Sequence, residues 1–457
     1  MRRNLIVLAA ILISCSLTGL GQRQEIKIAC VGNSITYGSG MKNRDQHSYP
    51  AQLQYWLGDD YEVKNFGVGG ATMLKQGNKP YWVQTEFQQV KDYQPDIIII
   101  KLGTNDSKPQ NWQYSSDFET DYKQMIDEFA ELKSRPRILL ALPVPVFIKE
   151  KWGINQAVVR DEILPLVEKI GKSRHCDIID LYHPLEDYGR FFPDQIHPDP
   201  LGAELMVKEI YLKLFHKTSS NRGSAFNTAT HPVPSPEYRG AAAGWGKGND
   251  WFSQHDDINQ IGNDRQVDLV FLGNSITQSW GGEGRSVGSP LRELWDSLYT
   301  PRNAANFGIS GDRTQHILWR IDNGNFDDIS PKAVILTIGV NNFRKNSSSE
   351  ISGGIKQIIS RLKRKLPSTH IILLGPLPSG ANESDPMREK YQQVHQQISG
   401  LGTQSRVTYL KISEPFIFAN GDLNYDFMRT DNIHLTTQGY YQWASLIEPE
   451  LKQIFND

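Results

Sequence analysis

An α/β fold built twice, as two three-layer α/β/α sandwiches in tandem, is predicted by three features of the 457-residue sequence. A set of short motifs occurs twice in the same order, about 240 residues apart. Apolar, β-branched runs alternate with amphipathic segments of helix length. The repeated motifs also fall directly after the first three of those runs, where an open parallel sheet presents its ligands.

The repeat comes first because it sets the units. Ile28-Ala29-Cys30-Val31-Gly32-Asn33-Ser34-Ile35-Thr36 returns as Leu269-Val270-Phe271-Leu272-Gly273-Asn274-Ser275-Ile276-Thr277. Asn65-Phe66-Gly67-Val68-Gly69-Gly70 returns as Asn306-Phe307-Gly308-Ile309-Ser310-Gly311. Leu102-Gly103-Thr104-Asn105 returns as Ile338-Gly339-Val340-Asn341, and Asp194-Gln195-Ile196-His197 as Asp431-Asn432-Ile433-His434. A period this long marks a duplicated domain rather than a solenoid. Residues 22–216 and 241–457 are the expected domains, behind a leader over 1–21. Between them, 217–240 is rich in Ser, Asn, Thr, Pro and Gly and carries His231-Pro232-Val233-Pro234-Ser235-Pro236. That composition predicts an extended, semi-rigid linker without a core of its own.

In the first copy the expected strands are Glu25–Val31, Glu62–Asn65, Asp96–Lys101, Ile138–Leu142 and Asp177–Asp180. In the second they are Val267–Leu272, Arg302–Asn306, Ala333–Thr337, His370–Leu374 and Val407–Lys411. Ile97-Ile98-Ile99-Ile100 has no polar alternate position, so both faces of that strand must be covered, as in a parallel sheet between helical layers. Five such strands per copy, each followed by a helix, predict a flavodoxin-like sandwich with a five-stranded parallel sheet.

Composition narrows the function classes. With 49 Lys and Arg against 51 Asp and Glu, the net charge is -2. There is no basic stripe for nucleic acid and no polybasic segment for an anionic membrane. Met1-Arg2-Arg3-Asn4 followed by the apolar run Leu5 to Ser14 reads as a secretory signal, too short to span a bilayer. Gly19-Leu20-Gly21 offers a signal-peptidase site before Gln22. Leu12-Ile13-Ser14-Cys15 resembles a lipobox that would leave Cys15 lipidated, although a signal ending there would be unusually short. Either route predicts an exported chain, periplasmic or secreted, with no transmembrane segment. Cys30 and Cys176 show no metal-binding spacing and are expected to be buried free thiols. Ten tryptophans are expected mainly in the cores, with a minority at a substrate site.

Chemistry is expected at the strand ends. Ser34 and Ser275 each follow a buried strand and a Gly and open a helix, where backbone donors favour an anion. Asn33-Ser34 and Asn274-Ser275 would also serve as simple helix caps. A serine hydroxyl needs a base to take its proton, and Asp194-x-x-His197 and Asp431-x-x-His434 supply one per copy. Spacing of three lets each carboxylate hold the imidazole Nδ1–H and turn Nε2 toward the serine. Gly70 and Gly311, in Gly-rich turns, and Asn105 and Asn341, after the third strand, would join the serine N–H as donors to a developing oxyanion. Taken singly, each Gly and Asn is an ordinary turn residue; the ordered double occurrence sets them apart.

These four blocks resemble those of the SGNH (GDSL-type) hydrolases, and the resemblance covers nearly the whole chain outside the leader and linker. It implies the SGNH fold, Ser34 and Ser275 as nucleophiles, His197 and His434 as bases, and Asp194 and Asp431 as their orienting partners. It implies oxyanion holes made by the serine N–H groups with Gly70, Asn105, Gly311 and Asn341, and no metal or organic cofactor. Two departures stand out. The usual Gly-Asp-Ser is Gly-Asn-Ser in both copies, and the Asp after the oxyanion Asn is kept as Asp106 but replaced by Asn342. The first copy is similar to carbohydrate O-acetylesterases of the sialate type. The second, through Gly308-Ile309-Ser310-Gly311-Asp312-Arg313-Thr314 and Leu318-Trp319-Arg320, is similar to the platelet-activating-factor acetylhydrolase-like branch. The implied partner is an O-acetylated glycan, with sialic acid O-acetyl esters the first choice and plant-polysaccharide acetyls next. A lipase or lysophospholipase would need a long apolar groove, and neither copy has an obvious apolar lid segment. A glycan-binding protein with an inactive site would show an eroded tetrad, which neither copy does. There is no P-loop, dinucleotide fingerprint or His-Glu-x-x-His; Gly244-Trp245-Gly246-Lys247-Gly248 has the wrong spacing for a phosphate loop.

Overall fold

Ile98, Ile99 and Ile100 are wholly buried, with Ile98 and Ile100 in one apolar cluster and Ile99 in another on the opposite face. With both faces covered, this strand lies at the centre of its sheet. The computed structural model describes residues 25–215, 226–236 and 250–456. The expected leader, the lipobox at Cys15, the Gly244–Gly248 run and the linker parts 217–225 and 237–240 lie outside the described residues.

The first sheet consists of β1 (Ile26–Gly32), β2 (Tyr61–Gly67), β3 (Ile97–Lys101), β4 (Arg137–Ala141) and β7 (Asp177–Ile179), in the order β2-β1-β3-β4-β7 and all parallel. A small antiparallel hairpin, β5 (Glu150–Lys151) and β6 (Ile154–Asn155), is inserted after β4. The second sheet repeats the plan with β8 (Leu269–Gly273), β9 (Ala304–Gly308), β10 (Ala333–Thr337), β11 (His370–Leu373) and β12 (Val407–Tyr409), in the order β12-β11-β10-β8-β9. Both are the three-layer sandwiches expected from the strand patterns, with no strand boundary shifted by more than two residues. Helices such as Ser115–Ala130 and Ser348–Lys365 cover the faces, the latter started by a capping box between Ser347 and Glu350.

The linker departs from expectation. Within 226–236, Ala229, Val233 and Ser235 are buried, and Val233 belongs to a core cluster of the first domain. Phe226 packs on Trp56 and Tyr211, while Ala229 O accepts from Thr314 Oγ1 at 2.8 Å in the second domain. Small apolar side chains fit the seam, and prolines bring no N–H that burial would orphan. The segment is a packed strap rather than a spacer without a core.

Cys30 is buried and free, and burial pushes its thiol up to about 12. Cys176 is also free but only half-buried, because it sits one residue ahead of β7 rather than inside a strand. Among the described residues, no helix is long and apolar enough to cross a membrane.

Candidate active sites

Strand register brings the motif loops together. Gly32 lies beside Gly67 and Lys101, and Gly273 beside Gly308 and Thr337, so three loops leave each sheet at one level. Gly67 and Gly308 are required there, because a Cβ would lie 2.2 Å from Tyr37 N in one copy and 2.3 Å from Gln278 N in the other.

Asn33 ends β1 in an extended conformation, and its Oδ1 accepts the Ile35 N–H at 3.1 Å; Asn274 does the same for Ile276 at 3.0 Å. The asparagines are therefore the helix caps, and the serines after them are left free to face another partner. Ser34 Oγ lies 2.8 Å from His197 Nε2, and Ser275 Oγ lies 2.8 Å from His434 Nε2. In each copy the other ring nitrogen, Nδ1, is 2.7 Å from a carboxylate oxygen, of Asp194 or Asp431. An ionised carboxylate only accepts, so Nδ1 carries the proton and Nε2 is the acceptor facing the serine hydroxyl.

The Asp-x-x-His turn is held by its own backbone. Asp194 Oδ1 accepts the Ile196 and His197 N–H groups at 2.9 and 2.7 Å, and Asp431 Oδ1 those of Ile433 and His434 at 3.0 and 2.9 Å. The second residue of each turn takes a left-handed conformation, φ 70° at Gln195 and 61° at Asn432. Burial pushes both carboxyl groups up, but the hydrogen bonds from the histidine backbone and ring and from Ile196 or Ile433 outweigh it, holding both below the ordinary aspartate range.

Gly70 and Gly311 have φ of 81° and 85°, a left-handed turn that a side chain would strain. Asn105 Nδ2 donates to Ala71 O at 3.1 Å, and Asn341 Nδ2 to Asp312 O at 2.9 Å, the residue after the glycine in each case. One amide N–H thus fixes the asparagine against the glycine turn; the second N–H of each has no acceptor among the described residues. The structure therefore brings every expected residue into two separate clusters, Ser34, Gly70, Asn105, Asp194 and His197, and Ser275, Gly311, Asn341, Asp431 and His434. Asn342, which stands where the first copy has Asp106, keeps the same task. Asp106 Oδ2 accepts the Met73 N–H at 3.0 Å, and Asn342 Oδ1 accepts the matching Thr314 N–H at 3.0 Å.

Four residues near these clusters were not anticipated. Asn65 and Asn306, two residues before the ends of β2 and β9, accept the Gly67 and Gly308 N–H groups at 2.9 Å and donate to Thr36 O and Thr277 O at 2.8 and 2.7 Å. They join the glycine turn to the serine-bearing turn, and their place in a repeated block was the available signal. Lys101 is fully buried with Nζ 3.5 Å from Asn33 Oδ1. Trp152, in the β5–β6 turn, stands beside His197.

The two sandwiches with their Ser–His–Asp sets define the class of protein, and sequence comparison agrees. The chain belongs to the GDSL-like Lipase/Acylhydrolase family, matched over residues 30–205 and 271–442, and so to the carboxylic ester hydrolases. Each matched segment contains one complete set. The chain is 43% identical over 207 residues to an acetylxylan esterase of Xylanibacter ruminicola, covering 41% of this chain and 43% of that one. It thus spans less than half the length of that relative. It is 32% identical over 219 residues to the platelet-activating factor acetylhydrolase IB subunit alpha1 of Rattus norvegicus, covering 48% of this chain and 86% of the relative. Among solved structures, a GDSL-like lipase from Bacteroides thetaiotaomicron aligns with a TM-score of 0.37 at 19% identity, over 44% of this chain and 98% of the other.

Proposed function

We propose that the chain is an exported carbohydrate O-acetylesterase with two independent active sites. The observation that carries this reading is the Ser–His–Asp geometry, present twice with the same 2.8 and 2.7 Å spacings. In the first site, Ser34 Oγ attacks the ester carbonyl carbon as His197 Nε2 takes the hydroxyl proton. The Ser34 and Gly70 N–H groups and Asn105 Nδ2 receive the oxyanion, and the imidazolium is stabilised by Asp194. Collapse of the intermediate passes the proton to the leaving sugar oxygen and leaves acetyl-Ser34. Water, deprotonated by the same histidine, then releases acetate. Ser275, His434, Asp431, Gly311 and Asn341 act alike in the second site.

Acetyl is the favoured acyl group because both relatives are named for acetyl esters, one of a polysaccharide and one of a lipid. The acetylxylan relative moves the first choice of sugar from sialic acid to an acetylated xylan-type polysaccharide. Export rests on the basic, then apolar, first residues of the sequence. The divergent surroundings of the two sites support different acetyl positions or linkages as their targets.

The test is acetate release from acetylxylan, from O-acetylated sialic acid and from a long-chain ester, by wild type, Ser34→Ala, Ser275→Ala and the double variant. Each single variant should lose a distinct part of the activity, and the double variant should lose all but a trace, a fall on the order of 10⁴-fold or more. A double variant with full activity would overturn the assignment of the nucleophiles. Turnover confined to the long-chain ester would make the protein a lipase instead.

A further inference from the structure

Of the nine tryptophans among the described residues, eight are buried or half-buried, while Trp152 is 61% exposed. We propose that Trp152 is the platform on which a pyranose ring stacks when its acetyl group is in the first active site, an inference that rests on the carbohydrate reading above.

Position is the first argument. The indole centroid is 6.0 Å from that of the His197 ring, with the two planes tilted by 41°. The leaving sugar oxygen must receive its proton from His197 Nε2, so the sugar ring has to sit beside this imidazole. An open aromatic face at that distance is where the ring would lie. The negative face of an indole attracts the positively polarised C–H groups of a pyranose, a contact that needs flat area rather than a particular hydroxyl pattern.

Rigidity is the second. The hairpin that carries Trp152 is fastened to both halves of the catalytic cluster. Lys151 Nζ donates to Asp194 O at 3.0 Å, and the Phe147 N–H to Gln195 O at 2.9 Å, both in the loop that holds His197. On the other side the Asn155 N–H donates to Ser107 Oγ at 3.1 Å, in the loop that holds Asn105. Ile154 is buried in the first-domain core. These four attachments fix the backbone that carries Trp152 relative to Ser34 and His197, which lowers the cost of ordering the platform for stacking.

The backbone adds a third. Trp152 and Gly153 form the two-residue turn with φ of 53° and 79°. Such turns favour Asn-Gly or Asp-Gly because both central residues need positive φ. A bulky residue in the first position is an outlier, and the indole packs into no core; the Lys151 ammonium, 4.9 Å from the ring centroid, leaves it 61% exposed. A ligand contact accounts for it. The second copy has no hairpin at the corresponding place: after β11 the chain runs through 374–385 as a loop held by Arg388 to the carbonyls of Ser379 and Gly380. The platform therefore belongs to the first site alone, where the His197 side chain is 14% exposed against 33% for His434.

The experiment uses the full chain carrying Ser275→Ala, so that only the first site reports, with Trp152→Ala and Trp152→Phe added separately. Kinetics are measured on 4-nitrophenyl acetate and on an acetylated xylo-oligosaccharide. Trp152→Ala should raise KM for the oligosaccharide about tenfold, the effect of one aromatic contact, with the small ester turned over within twofold of its parent. Trp152→Phe should recover most of the loss. An unchanged oligosaccharide KM in Trp152→Ala overturns the platform while leaving the carbohydrate reading standing. Equal losses on both substrates also overturn it, since they mark a purely structural residue. A parent that cleaves the small ester but no acetylated glycan removes both readings together.

Discussion

Single positions differ between the copies in ways that can be measured. Lys101 lies at the end of β3 where the second copy has Thr337, and it is completely buried, so burial pushes its ammonium down to about 7. The unfolded lysine titrates at its ordinary 10.5. Between those values the unfolded chain binds more protons than the folded one, so this residue makes stability rise as pH goes from about 7 to about 10.5. Lys101→Met should therefore be more stable than wild type at pH 7 and below, by about 2–4 kcal/mol. The gap should close by pH 10, as read by urea unfolding at both pH values. Asp106 makes the opposite case. Its two oxygens accept the Met73 and Leu74 N–H groups at 3.0 and 2.8 Å, although burial pushes its carboxyl up to about 6. Asp106→Asn keeps the shape but can accept only one of the two, so it should cost about 1–3 kcal/mol in thermal or urea unfolding. The second copy tolerates Asn342 because its amide nitrogen has acceptors of its own, Gln315 Oε1 and Asn346 Oδ1, both at 3.0 Å.

At the scale of elements, the strands were legible because β-branched runs without polar alternation have one stable home, a sheet covered on both faces. Ile97–Lys101 and Ala333–Thr337 illustrate it, their ends falling within a residue of expectation. The serine, histidine, aspartate, glycine and asparagine positions were legible because each sits in a motif that occurs twice. What the motifs concealed was how the loops are joined. Asn306 is fully buried, and besides accepting the Gly308 N–H it donates to Thr277 O and Gly281 O, both at 2.7 Å. Its chemistry depends on two loops meeting, which no local pattern expresses. Asn306→Ala would take one hydrogen bond from each of three buried backbone groups, of which Thr277 O keeps the Trp280 N–H at 3.1 Å. In a Ser34→Ala chain it should destabilise by about 1–3 kcal/mol and reduce second-site turnover more than it raises KM, since it moves the oxyanion donors rather than the substrate contacts. The β5–β6 hairpin was hidden for another reason. Glu150-Lys151-Trp152-Gly153-Ile154-Asn155 has neither the length nor the alternation of a strand pair, and it is held by contacts to distant loops.

The whole molecule is more tightly joined than a linker composition suggested. Glu204 is on the helix Pro200–Leu214, which begins three residues after His197. Its two oxygens accept from Arg313 Nη2 at 2.9 and 2.8 Å, and Lys345 Nζ is 3.0 Å from Oε2. Arg313 stands two residues after Gly311, in the glycine turn of the second copy. One ion cluster thus connects the helix behind the first base to the turn that would hold the second oxyanion, and the strap 226–236 reinforces the same place through Ala229 O and Thr314. Both Glu204 and Arg313 are buried. Desolvation alone would push the Glu204 carboxyl up, but Arg313 and Lys345 overcome it and hold it well below the ordinary glutamate range. A carboxyl lowered in the folded state contributes its stability at all pH values above the unfolded 4.5 and loses it only as pH falls further, through the folded value. The domain contact should therefore persist through mild acid. Removing the carboxylate is another matter, because it strands a buried guanidinium. Glu204→Ala should lower stability by about 3–5 kcal/mol. In a Ser34→Ala chain, Glu204→Ala should also reduce second-site kcat, while in a Ser275→Ala chain first-site turnover stays near its parent value. Calorimetry of the same variants should show the second domain melting earlier than in wild type. If both sites lose activity equally, the cluster only holds the domains together; if neither does, the oxyanion turn of the second copy is fixed from within its own domain.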